Sequence, residues 1–315
     1  MPTPRVSILL ANYNGEPFLA GCLDSIRQRV GVAHEVILVD NASTDGSVAL
    51  IEAGYPDVRL VRSERNLGFT GGNNLAAGYA TAPLLLLLNT DTRLASGLAA
   101  AIDLAALDEI GAVGCRLVYP DGRLQPSIGY EHTPARLVAS WLGLDRRRGA
   151  PALFHRTVTD PAHYEVPHDD VAWVSGACLL TRTEIWRRLG GLDDRYFMYV
   201  EDVDYCRRVR ELGYRVAYTP LATVEHVEAA GRSWVGRRAL LSTSRSYAIF
   251  TRKFYGGAAE VLVRASLGLV FVLRAAAYQV STLANRSPDV RDKAGSYFAA
   301  GRALLSRPSV GSPWQ

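Results

Sequence analysis

Five consecutive leucines, Leu84 to Leu88, place the tightest constraint on what this chain can fold into. A strand with one face in water alternates apolar and polar residues, whereas a run that is apolar throughout needs cover on both faces. Val6 to Ala11, Glu35 to Asp40, Val58 to Arg62 and Leu84 to Asn89 read as successive strands, separated by segments at helical spacing. This alternation predicts a βαβ series: an α/β fold with a doubly wound, mainly parallel sheet. Ligands of such sheets bind beyond the carboxyl ends of the strands.

Those ends are polar. Asn12, Tyr13 and Asn14 follow the first strand, Asp40 and Asn41 the second, and Asn89, Thr90 and Asp91 the fourth. No G-x-G-x-x-G follows the first strand and no P-loop pattern is present, which disfavours a nicotinamide or flavin enzyme and a P-loop nucleotidase. From Pro120 to Asp170 the pattern is irregular and rich in Pro, Gly and Arg, an excursion long enough to cover a pocket or receive an acceptor. Val200, Val203, Cys206, Val209 and Leu212 then predict a helix closed by Gly213.

The ordered set Ala11-Asn12-Tyr13-Asn14-Gly15, Val39-Asp40-Asn41-Ala42-Ser43-Thr44-Asp45-Gly46-Ser47, Asn66-Leu67-Gly68-Phe69 with Gly72-Asn73-Asn74, Leu88-Asn89-Thr90-Asp91, Gly190-Gly191-Leu192-Asp193 and Tyr199-Val200-Glu201-Asp202-Val203-Asp204 resembles family 2 glycosyltransferases of the GT-A fold, in particular the rhamnosyltransferase-like branch. The resemblance covers about residues 5 to 255. It implies an inverting, metal-dependent hexosyltransferase acting on a nucleotide-sugar donor, dTDP-L-rhamnose first and a UDP-sugar next. The acceptor it implies is a polyprenyl-diphosphate-linked or other glycan of cell-wall or surface-polysaccharide synthesis. A sugar nucleotidyltransferase would need a Gly-rich N-terminal nucleotide loop with a basic residue, which is missing. A non-catalytic membrane-bound carbohydrate-binding protein draws support only from Asn89, which stands where the family's first metal-site carboxylate is expected.

Each segment has a chemical and a plain structural reading. Asp40 can accept a hydrogen bond from the ring N–H of uracil or thymine while the main chain near Asn12 completes the base edge, although a polar loop and helix cap would use the same residues. Gly68, Gly71 and Gly72 can bring backbone N–H groups to a diphosphate, or simply make a turn. The expected donor site comprises Ala11, Asn12, Tyr13, Asp40, Asn66, Gly72, Asn74, Asn89 and Thr90. By resemblance, Asp91 and His226 are the expected ligands of Mg²⁺ or Mn²⁺.

Inverting transfer also requires a base for the acceptor hydroxyl. Asp202 is the expected base by resemblance, with Glu201 touching the acceptor or a neighbouring loop and Asp204 the second candidate. Helical spacing places Asp202 and Asp204 off the apolar stripe of Val200, Val203 and Cys206, where acids would also suit the helix dipole. Gly231, Arg232 and Ser233, with Arg245 and Lys253, form a cluster that could meet phosphates.

Charge divides the chain unevenly. From Ala230 onward 13 basic residues face 3 acidic ones, +10, leaving −6 elsewhere. This asymmetry, with apolar and aromatic residues nearby, points to an anionic membrane surface and away from nucleic acid. Ala258 to Ala284 predicts a helix in which Glu260, Arg264, Arg274 and Tyr278 share one narrow arc facing the headgroups. Those charges interrupt any run near the ~20 residues of a spanning helix. Packing on the catalytic domain or on a second copy of the chain fits the same pattern. The expected organisation is a catalytic domain, residues 1 to 255, and a basic amphipathic membrane-associating region, residues 256 to 315. Cys22, Cys115, Cys178 and Cys206 lack metal-site spacing and read as buried reduced thiols. With a first apolar run too short for a signal peptide, they place the protein in the cytoplasm, peripherally on the inner face of the cell membrane.

Overall fold

A computed structural model describes residues 3–228, 237–284 and 288–306. In chain order the first half contains β1 (Val6–Asn12), α1 (Glu16–Arg29), β2 (His34–Asp40), α2 (Ser47–Gly54), β3 (Val58–Arg62), α3 (Gly68–Ala77), β4 (Leu84–Leu88), β5 (Thr92–Leu94), α4 (Ala99–Ala105) and β6 (Ile110–Val118). The second half contains β7 (Leu124–Gln125), β8 (Ile128–Gly129), α5 (Pro134–Trp141), β9 (Trp173–Val174), β10 (Cys178–Arg182), α6 (Thr183–Leu189), α7 (Glu201–Glu211), β11 (Arg215–His226), α8 (Arg237–Ala284) and α9 (Pro288–Leu305).

The main sheet runs β3-β2-β1-β4-β10-β6-β11-β5, with β7 added to β6. Strands β3, β2, β1 and β4 are parallel, while β10 enters antiparallel between β4 and β6. All five leucines of β4 are buried, as the continuous run predicted. Burial of each such side chain stabilises the fold by roughly 1.5–3 kcal/mol, so this strand anchors the sheet. Helix α3 packs on β1 and β2, and α4 on β6 and β11. The four strands expected from sequence fall within one residue of those observed.

Two compact units emerge. The first comprises Met1–Tyr130, Thr157–Asp194 and Glu201–Glu228 and holds the sheet. The second comprises Glu131–Arg156, Arg195–Val200 and Ala229–Gln315. The irregular excursion therefore contributes a helix to the second unit. Pro134 begins α5, and Thr133 Oγ1 caps it by accepting from Arg136 N at 3.2 Å.

Within the second unit, α8 packs against α5 and α9. Gly256, at φ 84°, breaks α8 where its backbone leaves helical geometry. The charged arc of α8 turns inward, opposite to the orientation expected from sequence. Glu260 is buried between Arg252, at 2.9 Å, and Arg264, at 3.3 Å. Arg264 also donates from Nε to the carbonyl of Leu304 at 3.0 Å. Arg274 donates to the carbonyl of Trp141 at 2.9 Å, and Tyr278 stacks on Tyr297 with ring centroids 5.6 Å apart. A Cβ on Gly268 would come within 2.7 Å of Leu305, and one on Gly301 within 3.0 Å of Val272, so the two helices cross at glycines. The stretch Ala239–Val280 is also long and apolar enough to cross a membrane by length and composition, so the interrupting charges do not exclude spanning on that ground.

All four cysteines are free and buried, as expected. Burial pushes the thiols of Cys22 and Cys206 up to about 12.

Candidate active site

The polar strand ends of the first unit build on one another. Asn12 and Asp40 are register partners on β1 and β2, and Asn12 Nδ2 donates to Asp40 Oδ1 at 3.0 Å and to Ser43 Oγ at 3.1 Å. The other Asp40 oxygen accepts from Ser43 N at 3.0 Å. Asn14 joins from β1's exit loop, its Oδ1 accepting from Thr44 N at 2.7 Å. Asn12 Oδ1 is buried without a partner among the described residues. A Cβ on Gly15 would lie 2.3 Å from that oxygen and 3.3 Å from Thr90 Oγ1, so a glycine here keeps the space between Asn12 and Thr90 open. Tyr13 is exposed beside them.

The glycine segment serves packing. Gly68, at φ 73°, starts α3, and its N–H donates to Asn66 Oδ1 at 2.8 Å. A Cβ on Gly72 would sit 2.8 Å from both the Ala11 Cβ and Asn41 Nδ2, so glycine lets α3 close onto the end of β1. Asn74 faces the turn after α6: its Nδ2 donates to the Leu192 carbonyl at 2.8 Å and to Asp194 at 2.7 Å, and its Oδ1 accepts from Leu192 N at 2.9 Å. Its amide thus fastens that turn to α3.

Asn89, Asp91 and His226 converge across β4, β5 and β11. His226 Nδ1 lies 2.9 Å from Gln125 Oε1, an acceptor, which places the ring proton on Nδ1 and leaves Nε2 as the accepting nitrogen. That nitrogen lies 3.2 Å from Asn89 Nδ2 and 3.3 Å from Asp91 Oδ1. The Asn89 amide N–H meets the imidazole lone pair here, and the Asp91 carboxylate stands beside it. The donor set suits a divalent cation of the Mn²⁺ or Mg²⁺ class. Among the described residues no three His, Cys, Asp or Glu side chains cluster as a complete metal cage. Phosphate oxygens would have to finish the coordination.

The acids that open α7 have separate fates. The chain enters through Tyr199 and Val200, both in the left-handed region at φ 72° and 73°, which is strained for a β-branched residue. Asp202 accepts from Gly176 N at 2.9 Å and from its neighbour Val203 N at 2.8 Å, so both carboxylate oxygens are oriented by backbone. Burial pushes Asp202 above the usual carboxylate range. The next residue after Gly176, Ala177, accepts from Asn89 N at 3.1 Å, so one turn links Asp202 to the Asn89–Asp91–His226 group. Glu201 is buried, and its Oε2 has no partner among the described residues. Burial, then the Asp202 and Asp204 charges, push it well up.

Asp204 departs from expectation. It is fully buried and pairs at 2.6 Å with Arg208, which also donates to the carbonyls of Leu189 and Gly191. Its side chain faces inward because Arg208 pairs with it there and is itself held in place by those two carbonyls. Gly231, Arg232 and Ser233 lie outside the described residues; Arg245 is exposed and Lys253 half-buried on α8.

Sequence reading gave Ser43 no role of its own within its motif and missed Gln125 and Gly176. Gln125 sits in a two-residue strand inside the irregular excursion, where no periodicity could mark it. The small run Ser175-Gly176-Ala177 does signal a tight turn, but nothing in it names Asp202 as its partner. Arg208 was legible as an i,i+4 partner of Asp204.

A helix-covered mixed sheet with polar loops at the carboxyl ends of its strands, and a carboxylate–imidazole pair in the same unit as a half-buried aspartate, is the architecture of the GT-A fold. The fold matches that of the mannosyltransferase PcManGT from Pyrobaculum calidifontis, solved with GDP-Man and Mn²⁺, at TM-score 0.56 and 18% identity over 96% of this chain and 87% of that one. The sequence profile of Glycosyl transferase family 2 matches residues 7–165, and the chain belongs to that family. It is 32% identical over 244 residues to the N-acetylglucosaminyl-diphospho-decaprenol L-rhamnosyltransferase of Mycobacterium tuberculosis, covering 72% of this chain and 77% of that protein. It is 31% identical over 239 residues to the O-antigen biosynthesis protein RfbC of Myxococcus xanthus, covering 73% of this chain and 18% of that protein.

Proposed function

We propose that the protein transfers L-rhamnose from dTDP-rhamnose, with inversion, to a polyprenyl-diphosphate-linked sugar presented at the membrane, in cell-wall or surface-polysaccharide synthesis. The observation that carries this reading is Asp202: a half-buried carboxylate, oriented by two backbone N–H groups, raised in pKa and joined through one turn to Asn89, Asp91 and His226. A base of raised pKa is what abstraction of a sugar hydroxyl proton near neutral pH requires. The mycobacterial relative's name supplies the acceptor class and the sugar.

In this reading Asn12, Asp40 and Ser43 receive the pyrimidine base, with Ala11 and Tyr13 at its edge, and Gly15 leaves room for it beside Thr90. Asn66, Gly72 and Asn74 shape the wall formed by α3. Asp91 and His226 hold a divalent cation together with the donor's phosphates, and Asn89 borders it. Such a cation would neutralise the departing nucleoside diphosphate. Gln125 fixes the imidazole, and Asp204 with Arg208 fixes the helix that carries Asp202.

The test is direct. Purified protein, with Mg²⁺ or Mn²⁺ and a short-chain polyprenyl-diphosphate N-acetylglucosamine, is offered dTDP-rhamnose and UDP-sugars separately, and the product is weighed by mass spectrometry. The expected product gains one deoxyhexose from dTDP-rhamnose. Gain of a hexose or N-acetylhexosamine from a UDP-sugar instead reassigns the donor, and no product from any donor removes the transferase reading.

A further inference from the structure

From Gly257 to Val280, helix α8 carries its charges on the inside and its hydrocarbon on the outside. Val261, Leu262, Leu269, Leu273 and Val280 are 57–66% exposed on α8. Between Gly257 and Val280 no exposed residue of this helix is charged; Glu260, Arg264 and Arg274 are the charged residues of that stretch, and all three face partners within the unit. At 100° per residue the exposed positions spread over about 160° of arc, with Gln279 the one exposed polar side chain, at the arc's edge. Val261 to Val280 covers about 29 Å of helix.

Water alone gives no reason for this arrangement. A solvated helix would turn Glu260, Arg264 and Arg274 outward and bury the leucines. A single partner helix, such as that of a second copy, covers a narrower seam than this arc. A hydrocarbon phase matches a wide, uncharged face of this length and favours charges satisfied internally. Helix α9, packed on the other side, exposes Asp292, Lys293 and Arg302 alongside Phe298 and Leu305, and a spanning hairpin would carry those charges into hydrocarbon. The hairpin is thus one-sided.

We propose that α8 lies in the plane of the membrane with its exposed apolar face immersed in hydrocarbon, held by apolar burial and not by attraction to anionic headgroups. The proposal deepens the reading of a lipid-linked acceptor and rests on it only for its biological setting. The probe is flotation of the full chain with vesicles. Neutral phosphatidylcholine vesicles should bind the protein, addition of anionic lipid should change the affinity little, and binding should survive 1 M NaCl, since salt screens headgroup attraction but not apolar burial.

The double variant Leu269→Glu, Leu273→Glu alters exposed positions, so it should keep its melting temperature and lose vesicle affinity by about tenfold or more. Release of the wild-type protein by salt, or binding confined to anionic vesicles, would overturn the proposal in favour of headgroup attraction. Undiminished binding by the double variant overturns it as well. So does a lipid-free dimer, seen by light scattering, that the double variant dissociates while the wild type ignores vesicles. Transfer to a short-chain soluble acceptor is read separately: loss of transfer with flotation intact sinks the functional reading alone, and loss of flotation with transfer intact sinks this one.

Discussion

The sheet unit and the helical unit use buried charge for opposite ends. In the sheet unit Asp202 is half-buried with only backbone N–H partners among the described residues, and Glu201 is buried with an oxygen that none of them meets, so both carboxyls are pushed toward the protonated form. In the helical unit Glu260 is buried between two arginines, and its inward turn frees an apolar face. Burial without a counter-charge makes a group reactive; burial with one makes it inert and leaves the surface to other side chains. Asp204 shows that the distinction runs within a single helical turn, two residues from Asp202, because Arg208 reaches it.

The sharpest test of that contrast is Asp202→Asn, which keeps volume and removes the proton acceptor. It should lower kcat by about 10²–10⁴-fold with donor affinity retained in a binding titration. Asp204→Asn should do the reverse. Leaving Arg208 without its counter-ion in a buried setting should cost about 3–5 kcal/mol of stability, read in urea denaturation, with kcat of the folded enzyme close to the parental value. If Asp204→Asn abolishes transfer at unchanged stability, the roles of the two aspartates are exchanged.

Gln125→Leu probes the imidazole. Losing the acceptor that fixes the Nδ1 proton should weaken the apparent affinity for Mn²⁺ by about 10–100-fold in an activity titration against metal, and excess metal should restore the rate. Glu201→Gln should have the smallest effect, visible only in its pH dependence. Because the folded carboxyl is raised, wild-type Glu201 favours folding below the ordinary carboxylate range and loses that contribution as pH rises through its folded value. The variant should therefore melt higher than wild type at pH 8 and no higher at pH 4. An equal difference at both pH values would show that the buried charge is not its cause.

Much of this was legible in the residues. Fully apolar strands fixed the sheet, and the polar strand ends fixed the edge where Asn12, Asp40 and Asp91 gather, because strand direction and chain order leave few alternatives. Periodicity located α7 and gathered the charges of α8 into one arc, but it is blind to which side of a helix meets protein: Val263, Leu267, Val270 and Phe271 are buried while Leu262, Leu269 and Leu273 are exposed. Glu260, Arg264 and Arg274 form one arc in either orientation. Only tertiary partners, Leu304 and Trp141 among them, decide that the arc points inward. Gln125 was illegible for the same reason, since its function depends on a histidine 101 residues away.

The burial of all four thiols turns into an experimental handle. With Cys22, Cys115, Cys178 and Cys206 enclosed, and burial holding the first and last at about 12, the native protein presents maleimides with no exposed thiol. A single cysteine introduced at Leu269 would then be the one fast-reacting site on the molecule. An environment-sensitive dye attached there could follow, in real time and without removing any native residue from the sheet, whether that point of α8 sits in water or in oil.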